Sequence, residues 1–397
     1  METPSRAHVL RQIPRSVILG CVSLFMDVSS EIIHSLLPMF LMAGLGASAT
    51  TIGLLEGIAE ATAPVVKVFS GTLSDYLGHR KWLAVAGYGL GALSKPLFAM
   101  APTIGVVIAA RVMDRVGKGI RGAPRDALVA DVTPSHLRGA AYGLRQSLDT
   151  VGAFLGPLLA VLIMLTWVDN FRLAFWLAVI PGLLAVALLT AGIQEPARER
   201  GAKRVNPVRW ESLRQLDRRY WEVVAVGAVF SLARFSEAFL VLRAMGSGVP
   251  VALVPLMMVA MNVVYSLSAY PFGKLADTMS HARLLVAGLF MLFASDLVLA
   301  HGIHWGMVLV GVGLWGLHMG MTQGLLATMV AHAAPEQLRG TAFGFFNLLG
   351  GVVTLLSSAI AGALWDRVGA ATTFYAGAAF CVVTIALVWL QGPPQRT

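Results

Sequence analysis

The ten residues Pro134-Ser-His-Leu-Arg138-Gly139-Ala-Ala-Tyr-Gly143 return almost unchanged as Pro335-Glu-Gln-Leu-Arg339-Gly340-Thr-Ala-Phe-Gly344, 201 positions later. A second pair, Gly71-Thr-Leu73-Ser-Asp75 and Gly273-Lys-Leu275-Ala-Asp277, is displaced by 202. Two landmarks at one spacing identify an internal duplication. The chain must therefore adopt a fold that two copies of one unit can build side by side.

What the unit is made of follows from hydropathy. Apolar residues make up 57% of the chain and charged residues 13%, against about 25% charged in ordinary soluble domains. Crossing about 30 Å of hydrocarbon takes about 20 apolar residues, and the apolar runs predict spans at 16–42, 51–70, 82–101, 104–126, 139–166 and 171–192, then 221–243, 250–270, 283–300, 305–330, 341–364 and 373–391. Backbone groups in lipid must bond within their own segment, so these spans are helices. The expected fold class is an all-α integral membrane protein: six helices in 1–194, a basic linker at 195–220, and six helices in 221–397.

The net charge of +9 is explained by orientation rather than by nucleic acid. Arg6, Arg11, Arg15, Arg80, Lys81, Arg138, Lys274, Arg283, Arg339 and the linker arginines fall on one face, whereas the other carries Arg172, Arg243 and Arg367. The positive-inside rule then places both termini in the cytoplasm of a bacterial-type inner membrane, with the linker against anionic headgroups. The first apolar run contains Asp27 and Glu31, too charged for a cleaved signal, and reads as the first span. Cys21 and Cys381 read as small apolar packers. No P-loop, nucleophile elbow or His-Glu-x-x-His motif occurs, so neither an enzyme nor a bound cofactor is expected.

Between spans two and three, Gly71-Thr-Leu73-Ser74-Asp75-Tyr-Leu-Gly78-His-Arg80-Lys81 resembles the signature loop of the major facilitator superfamily, and the duplicated six-span halves and central linker are similar to that fold throughout. The resemblance implies a transporter working by alternating access. It also implies a cytoplasmic conformational lock formed by Gly71, Asp75, Gly78, Arg80 and Lys81, with Asp277, Arg138 and Arg339 as the repeat-related members. Arg111-Val-Met-Asp114-Arg115-Val-Gly117-Lys-Gly119 resembles the superfamily motif implicated in proton transfer in antiporters. Gly152-Ala-Phe-Leu-Gly156-Pro157 resembles the antiporter packing motif, without the glycine pair that commonly follows it. Glycines four apart permit close helix packing, and a proline bends its helix.

Charges inside lipid-spanning helices are costly and are functional by default. Asp27, Glu31 and His34 share one face of span one, with Asp27 about 17 Å along the axis from Ser16 at 1.5 Å per residue, near the midplane. Arg111, Asp114, Arg115 and Lys118 share a face of span four. A charge-neutral network of Asp27 and Glu31 with Arg111 and Arg115 is expected, Asp27 being the first candidate for proton coupling and Asp114 the second. Glu60 adds a further acid. Arg145 and Asp149, at i and i+4, read equally as part of this network or as a local pair.

The second half is poorer in charge. Arg234, Glu237, Asn262, His318, Gln323 and Asn347 are expected to line its part of a substrate cavity, with Arg234 and Glu237 also able to pair with each other. His301, His304 and the methionines of spans eight and ten raise transition-metal export, but without Cys clusters or a His-rich tail no metal site is assigned. The expected function is secondary active transport by a single chain in the bilayer, drawing on the proton gradient to export a small drug-like, cationic or amphipathic solute. The alternatives are a proton-coupled importer of an anionic metabolite, a metal-ion exporter and a non-transporting membrane sensor.

Overall fold

The computed structural model describes residues 6–77, 79–167, 170–195, 213–276, 278–322, 324–335 and 338–390, and among them there are helices and turns but no strands. Helices α1 Arg6–Met39, α2 Ala49–Leu77, α3 Arg80–Met100, α4 Ile104–Val132, α5 Arg138–Thr166 and α6 Phe171–Gly192 form the first half. The second comprises α7 Arg218–Ala233, α8 Ala238–Met245, α9 Pro255–Ala276, α10 His281–Ala300, α11 Trp305–Thr322, α12 Leu325–Ala333, α13 Arg339–Arg367 and α14 Ala370–Leu390. Two spans expected to be continuous are broken. Residues 234–237 separate α7 from α8, and Gly324, at φ +77°, stands between α11 and α12. With each broken pair counted as one crossing, six spans lie in each half.

Ten of these crossings are long and apolar enough to span a bilayer by composition. The two that fall short are α2 and α4. Helix α2 carries Glu56, Glu60 and Lys67, and α4 carries Arg111, Asp114, Arg115, Lys118, Arg121 and Arg125. The apolar rule fails where charge is concentrated.

The repeated decapeptide builds the same device twice. At the start of α5 the Arg138 Nε donates to Ala130 O at 3.3 Å, and at the start of α13 the Arg339 Nε donates to Ala331 O at 3.2 Å. Each arginine thus satisfies a carbonyl left open at the end of the preceding helix.

The chain forms two compact units, one of residues 1–36 and 62–206 and the other of 37–61 and 207–397. Within the first, α3 and α4 cross at glycines: a Cβ on Gly117 would stand 2.6 Å from Gly87 O and 2.9 Å from Gly91 N. Helix α1 runs antiparallel to α4 on one steady register, marked by Ser16–Thr133 at 2.7 Å, Ser23–Arg125 at 3.4 Å and Asp27–Arg121 at 3.9 Å.

The second unit takes in the start of α2 through close contacts with α13. A Cβ on Gly57 would lie 2.9 Å from Leu355 Cα, and one on Gly362 would lie 2.7 Å from Thr50 Cα. The Asp366 carboxylate caps α2, accepting from Ala49 N at 3.0 Å and from Thr50 N and Oγ1 at 2.8 and 2.6 Å, where the open N–H groups favour negative charge. Helix α7 is tied to α13 by Tyr220 Oη donating to Ala342 O and Ser357 Oγ donating to Leu232 O, both at 2.9 Å.

Gly117→Val, which drives side-chain atoms into the α3 backbone, should destabilise the protein by about 1–3 kcal/mol or more. Gly89→Ala, on the same α3 but with no atom within 4 Å of the added Cβ, should be close to neutral. Thermal unfolding of the two detergent-solubilised variants checks the difference; equal Tm values would refute the close-packing account.

Candidate functional site

Lys95 of α3 and Asp114 of α4 form an ion pair at 2.7 Å, and the two residues are 1% and 3% exposed. The Lys95 ammonium also donates to Ser30 Oγ of α1 at 3.1 Å. Gly91 makes room for the group: a Cβ there would stand 3.2 Å from an Arg121 nitrogen and 3.7 Å from Asp114 Oδ1. Arg111, Arg115 and Arg121 are buried in the same helix, and the Arg121 guanidinium lies 4.7 Å from the centre of the Tyr88 ring, a cation–π contact. Taking each of these charges out of water costs several kcal/mol unless it is paired and hydrogen-bonded. The tight Lys95–Asp114 contact is the arrangement that limits that cost.

Helix α1 supplies the remaining carboxylates. Asp27, Glu31 and His34 do share a face, with Glu31 and His34 in contact at 3.4 Å. Asp27 stands 3.9 Å from Arg121, while Lys118 and Arg115 act on Glu31 at Coulomb range. The antiparallel register brings Arg121 to Asp27. Each step along α1 is matched by a step back along α4. Lys95, Lys118 and Arg121 join the expected residues around Asp27, Glu31 and Asp114, and Asp149 of α5 adds a further acid within Coulomb range of Asp27.

The Gly152-x-x-x-Gly156-Pro157 motif of α5 lies directly on these acids. A Cβ on Gly152 would stand 2.9 Å from Asp27 Cβ and from Leu24 O, and one on Gly156 would collide with Glu31 Cβ. The small residues let α5 press against the acid-bearing backbone of α1. Gly119 similarly faces α2, where a Cβ would stand 2.8 Å from Ala63 O.

A second cluster surrounds Asp126, which contacts Arg125 at 3.0 Å, Lys67 at 3.7 Å and Arg145 at 3.8 Å. Arg145 also pairs with Asp149. Arg145 and Asp149 thus combine a local pair with a link to α4.

Other expected site residues are dispersed. Arg80 pairs with Asp131 at 2.7 Å, and the backbone N–H groups of Arg80 and Lys81 donate to the Glu195 carboxylate at 2.6 and 3.2 Å. The Lys81 ammonium donates to Thr190 O at 2.7 Å. Gly71 packs on Ala123; Gly78, Asp277, Gln323, residues 196–212 of the linker and the side chain of Asp75 lie outside the described residues. Glu60 is half-buried on α2 and Asn262 on α9, whereas Asn347 is exposed on α13. Arg234 and Glu237 approach to 3.9 Å at the break between α7 and α8. His318 is buried, its Nδ1 2.9 Å from Gly288 O. His301 contacts Leu297 O and Tyr375 Oη, and His304 accepts from Gly306 N; among the described residues no group of three metal-ligating side chains occurs.

Sequence reasoning passed over Lys95, Asp126 and Glu195. For Lys95 the signal was present: a lone lysine in an apolar span falls under the same buried-charge rule that selected Asp27.

The sequence profile of the Major Facilitator Superfamily matches residues 19–253 and 239–397. The chain belongs to the major facilitator superfamily. It is a multi-pass membrane transporter, and its signature loop and duplicated halves are those of that superfamily. An uncharacterised MFS-type transporter of Methanocaldococcus jannaschii is 29% identical over 387 residues, covering 94% of each chain. The quinolone resistance protein NorA of Staphylococcus aureus is 26% identical over 198 residues, 49% of this chain and 48% of its own. In structure, a point mutant of the nucleoside transporter NupG superposes with a TM-score of 0.80 at 11% identity, over 95% of this chain and all of that one, a likeness of fold.

Lys95→Met leaves Asp114 buried without its closest partner and should cost about 3–5 kcal/mol. Lys95→Met combined with Asp114→Leu removes both charges and should recover much of the loss. A double-mutant cycle on Tm measures this coupling; simple additivity would show that the pair contributes no interaction energy.

Proposed function

We propose that this transporter is a proton-coupled exporter of a small solute, working by alternating access, with Asp27 as its coupling acid. The observation that carries the reading is the contrast between two carboxylates beside one arginine-rich helix. The Asp114 side chain is 4% exposed and held at 2.7 Å by Lys95, whereas that of Asp27 is 24% exposed and stands 3.9 Å from Arg121. A carboxylate that water can reach and whose partner is only loosely engaged can exchange that partner for a proton. Protonation removes the attraction to Arg121 and leaves a buried guanidinium to find new acceptors, which gives α4 a reason to move relative to α1.

Export is favoured by the antiporter-like glycine motif seated on Asp27 and Glu31, and by the partial similarity to a quinolone resistance protein. A drug-like, cationic or amphipathic solute is the matching cargo. The proposed setting is a bacterial-type inner membrane with both termini in the cytoplasm and one chain sufficing for transport. The burial of Arg111 and Arg115 in α4 supports a second reading, uptake of an anionic metabolite that they neutralise.

Reconstituted liposomes under an imposed proton gradient separate the two. In the export reading, organic cations trigger proton flux opposite to solute movement, Asp27→Asn abolishes coupling while retaining solute binding, and Arg115→Ala also retains binding. In the uptake reading, organic anions move with protons and Arg115→Ala loses affinity for them. Proton flux in the Asp27→Asn protein equal to that of the unaltered chain would remove Asp27 from the mechanism.

A further inference from the structure

The duplication assigns each site residue a counterpart in the second half. At a displacement of 201, α3 and α4 align with α10 and α11, matching Gly87 with Gly288, Ser94 with Ser295, Gly105 with Gly306 and Gly119 with Gly320. In this register Lys95 corresponds to Asp296, and Asp114 corresponds to Trp315. The position that holds a cation in one half holds an acid in the other, and the place of its counter-ion is taken by an indole.

Asp296 is fully buried, and among the described residues neither of its carboxylate oxygens has a hydrogen-bond partner. The surroundings are close-packed and largely aromatic, and the Trp315 Nε1 is likewise buried without a hydrogen-bond partner among the described residues. A Cβ on Gly377 of α14 would stand 2.5 Å from Asp296 Oδ2 and 3.0 Å from a Phe235 ring carbon. Phe235 in turn packs at a tilt on Trp315 and edge-to-face on Phe374, with ring centres 5.4 and 5.6 Å apart. Among the described residues, no ion pair to Asp296 comes from the adjoining elements. Cys381 of α14 is a buried thiol within Coulomb range of Asp296. His318 of α11 is bonded to Gly288 O, two turns away along α10, and Arg243 of α8 is spent on the carbonyls of Leu299 and Ala300.

An ionised carboxylate without hydrogen bonds or a cation in such surroundings is costly enough that the group takes up a proton instead. We propose that Asp296 is a proton-binding site of the second half, standing where the duplicated fold carries Lys95 in the first. In the conformation described here it is a neutral carboxylic acid. Release breaks its O–H bond, passes the proton to water and leaves a carboxylate that requires hydration, so release is tied to a conformation in which α10 and α14 part at Gly377. The site serves a transporter of either direction, and it does not depend on Asp27 being the coupling acid.

Infrared difference spectroscopy of the full chain in liposomes tests the assignment. At neutral pH the unaltered protein should show the C=O stretch of a protonated carboxyl group in a dry environment, shifted in deuterated water. The isosteric Asp296→Asn protein should lack that band, with its folding verified by gel filtration and its proton-driven transport diminished. Asp296→Ser serves as a second variant should the first fail to fold. A spectrum at neutral pH that is the same in the unaltered and variant proteins would overturn the proposal by showing Asp296 ionised. A band lost in the variant while proton-driven transport stays at the unaltered rate would also overturn it, leaving Asp296 a static neutral acid. Loss of proton flux in Asp27→Asn with the Asp296 band intact would confirm that the two sites are separate.

Discussion

Helix α4 has to keep four arginines and a lysine at the depth where lipid surrounds its neighbours, and much of the first unit can be read as the means of doing so. Lys95 pairs with Asp114 and donates to Ser30, Tyr88 covers Arg121, and Asp27 and Glu31 bring opposite charge from α1. These contacts require helices closer together than large side chains allow. The glycines at 87, 91, 117, 119, 152 and 156 meet that requirement, and a side chain at any of them would enter a neighbouring helix or the space of a charged group. Close packing and buried charge are here one constraint, because a charge only a few ångströms from its partner loses less on leaving water.

The two halves of the duplication answer that constraint differently. Both copies keep the arginine turn, Arg138 to Ala130 and Arg339 to Ala331, because it closes a helix end regardless of what the helix carries. The interiors have diverged: where α3 and α4 hold an ion pair, α10 and α11 hold an acid and an indole among aromatic rings. The second half also interrupts two spans, at 234–237 and at Gly324, where the first half keeps unbroken helices. A shared backbone plan thus carries two chemistries, one ionic and one nearly apolar.

Much of the candidate site was legible because burying charge in lipid is so unfavourable that each such residue stands out. Asp27, Glu31, Arg111, Asp114 and Arg115 could be selected by position alone. Their partners could not, since pairing depends on register and on where each helix ends. Depth counted from span ends points from Asp27 to Arg111 and Arg115, and the antiparallel register of α1 and α4 adds Arg121, further along α4, at 3.9 Å. Lys95 escaped notice because it has no charged neighbour at helical spacing within α3; its partner is on another helix.

Composition, the 201-residue repeat and the signature loop by themselves determined the class, the membrane environment, the six-plus-six plan and the superfamily, since each is a property of residue type and order along the chain. Which carboxylate is held tightly and which loosely, that residues 37–61 group with the second half, and that Asp296 has no hydrogen-bond partner among the described residues were decided only by the tertiary structure. Those facts are distances between residues far apart in sequence, and an error of one helical turn in register exchanges every partner along a helix face.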